Sequence, residues 1–172
     1  MKIIEAMKRI KANKEKVADL QAKIGEHCAN ISIETPLYGV NTRAKIDEWL
    51  QSCTDTSQEN ARLLCAIART NLATFVAVTL GGKTVEKTIA EWIWRRREYA
   101  KLDLETWSKL GDRKLRDQII APTTPGGAPT EIKVVRHYDP LIRDAMVAMF
   151  KTEAHEIDSA LEVVNAVTDL ME

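Results

Sequence analysis

Apolar residues recur at intervals of three and four positions over the first 28 residues of the chain. The segment contains no proline, and most of its other positions are charged or polar. This spacing predicts an amphipathic helix of the coiled-coil type over about 2–28. Lys14 and Gln21 interrupt the seam, which indicates a partner that is not purely apolar or a local shift of register. The apolar residues of the predicted seam are Ile3, Met7, Ile10, Val17, Ile24 and Cys28.

The same spacing predicts three further helices. Gly81-Gly82 marks the end of the first of them, because glycine adopts the backbone conformation with which helices commonly terminate. Thr84 is then placed to cap the next helix, and Asp139-Pro140 to open the last one. The predicted spans are about 42–79, 84–110 and 140–170.

Three segments interrupt this helical pattern. Residues 30–40 alternate briefly and then contain proline and glycine, which predicts a short extended segment or an edge strand. The polar stretch at 54–60 predicts a kink or a turn within the second helix. Two short β-branched segments flank a loop rich in proline and glycine at 122–130, and together they predict a β-hairpin over about 115–137.

The first and last predicted helices are long, and they lie at the two ends of the chain. Each would extend roughly 40 to 48 Å at 1.5 Å per residue. A small globule cannot cover such helices on every side, so we expect them to pack along each other and against copies from neighbouring chains. The predicted fold class is therefore mainly α: a long-helix antiparallel bundle with a small β-hairpin insertion, forming a single helical domain over residues 1–172 in a homo-oligomer.

The balance of charge restricts the possible partners. The chain carries 25 basic and 25 acidic residues, with an isoelectric point near 6.8. Proteins that hold nucleic acids through phosphate groups normally carry a basic excess, so general nucleic-acid binding is not expected. No apolar signal-peptide core opens the chain, and no stretch approaches the roughly 20 apolar residues that span a bilayer. We therefore expect a cytoplasmic protein with no membrane partner.

The residue types that carry catalysis or metal binding occur without the required spacing. Glu153 and His155 lie two positions apart on a predicted helix and therefore point away from each other, so no metal site is predicted. The Gly81–Thr84 segment lacks the first glycine of a phosphate-binding loop, and no nucleophile motif is present. The three cysteines are predicted to be buried free thiols. We expect no enzymatic activity and no cofactor.

One polar and aromatic cluster stands out at the junction of the second and third predicted helices. Arginine presents a planar fork that binds carboxylate or phosphate, and aromatic rings stack on nucleobases. The alternative is a structural network in which protein acids neutralise the arginines, and the nearest acids are Glu86, Glu91 and Asp169. The predicted ligand-binding residues of the cluster are Arg69, Thr70, Asn71, Thr74, Trp92, Arg95, Arg96 and Tyr99.

Five segments carry a resemblance to a known family: MKIIEAMKRI at the start, ARTNLAT at 68–74, the arginine-rich helix around 95–97, EIKVV at 131–135 and VVNAVTDL at 163–170. In these segments the chain resembles the septicolysin-like family of small bacterial proteins, over nearly its whole length. Asn165 falls on the family's closing motif and joins the predicted ligand-binding residues; Ala166 occupies the position at which the family commonly has tryptophan. Toxin activity is not implied, because the chain has neither a signal peptide nor the apolar hairpin of a pore former.

Two functions follow as expectations. The first is a non-enzymatic oligomeric binding protein that captures a small anionic, nucleotide-like ligand between subunits, for example to sequester a signalling nucleotide. The second is a structural or adaptor protein that self-assembles through its long helices without a small ligand. Nucleotide retained by the purified protein would separate the two.

Overall fold

The computed structural model describes residues 1–112, 115–120 and 130–171, apart from the side chains of residues 120 and 130. The fold is mainly α, as predicted. The helices are α1 (Ile3–His27), α2 (Thr42–Ala73), α3 (Ile89–Trp94), α4 (Ala100–Ser108) and α5 (Pro140–Val167), with a 3-10 turn at Gly39–Asn41 and a π-helical turn at Arg95–Tyr99. The strands are β1 (Phe75–Leu80), β2 (Lys83–Thr88), β3 (Gln118–Ile120) and β4 (Thr130–Ile132).

The chain divides into two compact units. Unit 1 consists of Met1–Val76, Thr88–Ala90 and Leu161–Glu172. Unit 2 consists of Ala77–Lys87 and Glu91–Ala160. The loop predicted at 122–130 lies almost entirely outside the described residues.

In unit 1, α1 packs along α2 through a seam that was only half predicted. The column of Ile3, Ile10, Val17 and Ile24 is buried or half-buried, as expected. The second column is shifted by one residue from the prediction. It consists of Ala6, Asn13, Leu20 and His27 in place of Met7, Lys14, Gln21 and Cys28.

The polar residue in this seam has its partners on α2. Asn13 is buried, and its Nδ2 donates to Glu59 Oε2 at 3.1 Å and to Asn60 Oδ1 at 2.9 Å. The hydrogen bond from Asn13, followed by that from Arg9, lowers the pKa of the Glu59 carboxyl, although desolvation acts in the opposite direction. The predicted kink at 54–60 is wrong: α2 is unbroken through this stretch, and its Glu59 and Asn60 face α1.

The far end of the α1–α2 pair is closed by three aromatic rings. Trp49 of α2 is buried and lies 5.9 Å from His27 and 5.6 Å from Tyr38, measured between ring centroids. Tyr38 belongs to the connection between the helices, which forms turns in place of the extended segment predicted at 30–40. The extended prediction was wrong because Pro36 and Gly39 sit at successive turns, with the Gly39 N–H donating to the Pro36 carbonyl.

The second predicted helix ends at Ala73, six residues earlier than expected, and a β-hairpin follows it. Val76 and Val78 are buried while the residues between and beside them are exposed, which is the alternation of a strand. Gly81 and Gly82 have φ values of 55° and 80°, as a two-residue hairpin turn of the primed type requires. The glycines therefore join β1 to β2 and do not terminate a helix. Thr84 pairs with Thr79 across the hairpin at 3.0 Å between hydroxyl oxygens, so it is not a helix cap.

The third predicted helix starts later than expected, because β2 occupies its first residues, and a π-helical turn interrupts it. It begins at Ile89, after β2, and its last residue is Ser108. Between α3 and α4 the chain makes one π-helical turn, in which the Ala100 N–H donates to the Arg95 carbonyl five residues earlier. Such turns carry one residue more than an α-helical turn and occur often at functional sites.

The two chain ends meet through their backbones, and the packing of α1 along the length of α5 stays a prediction. The Ile3 N–H donates to the Thr168 carbonyl at 3.0 Å, and the Leu170 N–H donates to the Met1 carbonyl at 2.9 Å. Lys2 Nζ lies 2.6 Å from Asp169 Oδ2, which lowers the pKa of that carboxyl. This contact joins the start of α1 to the end of α5 and the residues that follow it.

The predicted hairpin near 115–137 is present as two short strands. β3 and β4 pair antiparallel, with Gln118 opposite Ile132 and Ile119 opposite Glu131. The burial predicted for the cysteines is wrong: all three are free thiols, but Cys28 and Cys65 are exposed and Cys53 is half-buried. Among the described residues, no helix combines the length and the apolar content needed to cross a membrane.

Candidate functional site

Arg95, a predicted ligand-binding residue, is held by protein carboxylates in unit 2. Its Nε and Nη2 donate to the two carboxylate oxygens of Glu153 at 2.6 and 2.9 Å, and its Nη1 donates to Asp103 at 2.6 Å. Glu153 is 1% exposed, so this bidentate pair lies in the interior. The hydrogen bond that Arg95 donates to Glu153, ahead of that to Asp103, raises the pKa of Arg95, although desolvation acts in the opposite direction. The Phe150 ring lies below the guanidinium, 5.6 Å from its carbon.

Arg96 is also neutralised by the protein, through an ion pair with Asp158 of α5. The carboxylates that reach these two arginines therefore lie on α4 and α5, whereas sequence reasoning had pointed to Glu86, Glu91 and Asp169. Asp169 instead pairs with Lys2. The arrangement around Arg95 and Arg96 matches the structural network that was considered as the alternative to a ligand site.

The predicted residues before Trp92 lie in unit 1, whereas Trp92, Arg95, Arg96 and Tyr99 lie in unit 2. Thr70 is fully buried, and its hydroxyl donates to the Ala66 carbonyl and accepts from the Met171 N–H at 2.9 Å. Thr74 ends α2, and its carbonyl accepts from the Ile89 N–H. The buried Oδ1 of Asn71 has no hydrogen-bond partner among the described residues. Asn165 is half-buried on the last turns of α5.

Arg69 is exposed and forms part of a groove that we call the arginine groove. The groove has a volume of about 550 Å³ and lies wholly within unit 1. Arg62 and Arg69 are seven residues apart on α2, so they lie on the same face, two helical turns from each other. The other lining residues are Met1, Ala61, Leu63, Cys65, Ala66 and Leu170.

The two arginines of this groove differ from Arg95 and Arg96 in what faces them. Within the described ranges, no carboxylate oxygen lies within 4.0 Å of the guanidinium of Arg62 or Arg69. Sequence reasoning identified Arg69 but missed Arg62. The available signal was the spacing of seven residues, which places Arg62 on the face of Arg69.

A second concavity lies in unit 2 at the π-helical turn, and we call it the π cleft. Its volume is about 530 Å³, and its lining residues are Lys87, Glu91, Trp94, Arg95 and Tyr99. Trp94 and Tyr99 are 60% and 54% exposed, respectively. The predicted Trp92 instead points into the interior, with 1% of its surface exposed, and Lys87 Nζ lies 5.6 Å from its ring centroid.

One further charged cluster lies at the protein surface. Arg136 donates to both oxygens of Asp112 at 2.7 and 2.6 Å, and the Tyr138 hydroxyl donates to the same carboxylate at 3.0 Å. The bonds from Arg136, and then from Tyr138, lower the pKa of Asp112 to about 2. Within the described part of the chain, no group of three histidine, cysteine, aspartate or glutamate side chains is arranged to hold a metal ion.

Comparison with known proteins supports the fold but does not extend to the site. No protein-family model and no curated protein sequence matches the chain. A solved structure described as that of a functionally unknown conserved protein from Corynebacterium diphtheriae is similar over 99% of both chains, with a TM-score of 0.57 and 18% identity. At that identity the likeness shows the fold alone. The resemblance to the septicolysin-like family stays a prediction.

Proposed function

We propose that this chain is a non-enzymatic binding protein that captures a small anionic ligand with an apolar or aromatic body in the arginine groove. The observation that carries the proposal is the contrast in charge partners: Arg62 and Arg69 face no described carboxylate, whereas Arg95 and Arg96 face protein acids. A guanidinium fork is suited to a carboxylate or phosphate group.

The walls of the groove support the proposal that the ligand has an apolar or aromatic body. Between and around the arginines lie Ala61, Leu63, Ala66 and Leu170, which offer apolar surface to the body of a ligand. A volume of about 550 Å³ is within the range of small-molecule sites, which are mostly apolar with a few polar groups that fix orientation. A nucleotide, with an aromatic base and a phosphate, has this combination of parts.

Cys65 provides a test of the location because it is an exposed thiol on the groove wall. In a Cys28→Ser/Cys53→Ser background, we expect the aromatic sulfonate 8-anilino-1-naphthalenesulfonate to slow alkylation of Cys65 at least threefold. The Arg62→Gln/Arg69→Gln double variant should lose this protection.

The same variants test affinity. Replacing both arginines should weaken binding of the sulfonate at least tenfold, which corresponds to about 1.4 kcal/mol. Arg97→Gln is the matched control, because Arg97 is exposed and lies outside the groove. Equal affinity in the double variant and the wild type would refute the proposal. If the natural ligand is a nucleotide, protein purified from cells should also carry excess absorbance at 260 nm.

Self-assembly through α2 is a second candidate function, and exposed apolar side chains on that helix favour it. Leu50, Leu64 and Leu72 are 49%, 54% and 67% exposed along a helix of 32 residues. Apolar surface of this kind often marks protein–protein contacts. A second copy of the chain could cover it and place the ligand site near a subunit boundary.

Light scattering tests this candidate directly. We expect a molar mass above 19.4 kDa at micromolar concentration, and a reduced mass for Leu50→Gln/Leu64→Gln. A mass of 19.4 kDa for the wild type would leave ligand capture by a monomer as the remaining proposal.

A further inference from the structure

The π-helical turn determines which side chains share the π cleft. In a regular α-helix, residues five positions apart point about 140° away from each other. The π turn closes a hydrogen bond from residue 100 back to residue 95, so it contains one extra residue and rotates the following side chains. As a result, Trp94 and Tyr99, five positions apart, line the same concavity.

Protein carboxylates hold one lining residue of the π cleft in place. Arg95 lies within the π turn and is fixed by the bidentate pair with buried Glu153 and by Asp103. These contacts hold the wide turn in place while leaving Trp94 and Tyr99 60% and 54% exposed. Two large exposed aromatic rings beside a preformed cavity are the arrangement that stacks flat ring systems.

The charges of the cleft indicate a ring without a strong net charge. The positive charge of Arg95 is already countered by two carboxylates, and the other two charged residues of the lining, Lys87 and Glu91, have opposite signs. The π cleft therefore lacks the excess of positive charge of the arginine groove, and we expect stacking to supply most of its binding energy. We propose that the π cleft is a separate site for a flat, uncharged heteroaromatic ring such as a nucleobase.

The test uses adenosine and uridine, which carry a base but no anionic group. We expect both to shift the indole NMR resonance of Trp94, assigned with Trp94→Phe, and to do so equally in the Arg62→Gln/Arg69→Gln variant. Because nucleoside binding should not depend on the arginine groove, a negative result here can be told apart from a failure of the proposed function.

A deletion isolates the role of the π turn. Removing Arg97, which is exposed, shortens the wide turn to α-helical length and returns the residues after it to their places in the helix. We expect this deletion to weaken adenosine binding at least tenfold, whereas the substitution Arg97→Ala, which keeps the chain length, should bind as the wild type does. Trp94→Ala and Tyr99→Ala should each weaken adenosine binding to a similar extent. These two variants replace the deletion in the test if the deletion variant does not fold.

Two results would overturn the inference. One is a Trp94 resonance that neither nucleoside moves in the wild type. The other is undiminished nucleoside binding in both Trp94→Ala and Tyr99→Ala.

Discussion

The two pairs of arginines in this protein have opposite surroundings. Arg95 and Arg96 are half-buried in unit 2 and each contacts a protein carboxylate, with Glu153 almost fully inaccessible to solvent. Arg62 and Arg69 lie on an open face of α2 in unit 1, and none of the described acids pairs with them. The sequence places all four on predicted helices but does not show which of them meet a carboxylate.

This contrast predicts a structural role for the first pair and leaves the second pair exposed to solvent. Removing the partner of a buried charge costs several kcal/mol, so we expect the Arg95–Glu153 pair to contribute to stability. A solvated arginine without a partner contributes little to folding, and it can still form a charged hydrogen bond with an incoming anion. The predictions that follow test this contrast in order of decreasing effect.

The largest effect is expected at the buried end of the Arg95 pair. Glu153→Ala should lower the free energy of unfolding by about 2 kcal/mol, because it removes the buried bidentate partner of Arg95 and leaves Asp103 as its remaining carboxylate. Urea denaturation measures this loss. Asp158→Ala is the control, since its carboxylate is 53% exposed and its loss should cost less than 1 kcal/mol. If Glu153→Ala lowered the free energy of unfolding by less than 1 kcal/mol, the Arg95–Glu153 pair would not have the structural role that we assign to it.

A smaller effect is expected next to Arg69, at Thr70. Thr70→Val keeps the shape of the buried side chain but leaves the Met171 N–H without its acceptor, which should cost about 1 kcal/mol. Thr106→Val is the control: the Thr106 hydroxyl also donates to a carbonyl four residues earlier, but it is exposed. If Thr70→Val lowered the free energy of unfolding no more than Thr106→Val, the hydrogen bond between Met171 and Thr70 would not stabilise the protein in solution.

The exposed pair between Asp112 and Arg136 should show a pH effect. The pKa of Asp112 is lowered to about 2, below that of the unfolded chain, so its contribution to stability is present above about pH 4 and is lost as the pH falls towards 2. Carboxyl NMR should find its titration midpoint near 2, and Arg136→Gln should return it towards 3.8. A midpoint already near 4 in the wild type would show that this pair is open in solution.

The smallest effect on folding is expected in the arginine groove. Arg62→Gln and Arg69→Gln should each change the free energy of unfolding by no more than about 0.5 kcal/mol, as is usual for surface positions without a partner. Thermal unfolding measures this, with Arg97→Gln as an exposed reference. A marked destabilisation would reveal a structural partner for these arginines.

The helical part of the fold was largely predictable because seam residues repeat along the chain. Ile3 and Ile10 were placed correctly, since apolar spacing depends on α1 alone. Asn13 was not placed in the seam, because a buried asparagine is acceptable only where a partner such as Asn60 meets it from another helix. The β1–β2 hairpin was missed because Phe75 continued the helical spacing, although the valine alternation and two adjacent glycines were the stronger signal.

The candidate site was predictable in composition but not in arrangement. Arg69 and Tyr99 line the arginine groove and the π cleft, respectively, yet they belong to different units of the chain. The acids that bind Arg95 are distant in sequence, and Glu153 lies 58 residues away. No local pattern reports such a partner, so the choice between a structural network and a ligand site required the tertiary structure.

Arg69→Ala and Arg95→Ala separate a ligand-binding arginine from a structural one in a single experiment. For each variant, the melting temperature and the dissociation constant for 8-anilino-1-naphthalenesulfonate would be measured on the same preparation. We expect a reciprocal pattern: Arg69→Ala keeps the melting temperature and binds at least tenfold more weakly, whereas Arg95→Ala melts at a lower temperature and binds as the wild type does. Weaker binding in Arg95→Ala at an unchanged melting temperature, or equal destabilisation of both variants, would refute the contrast between the two pairs of arginines.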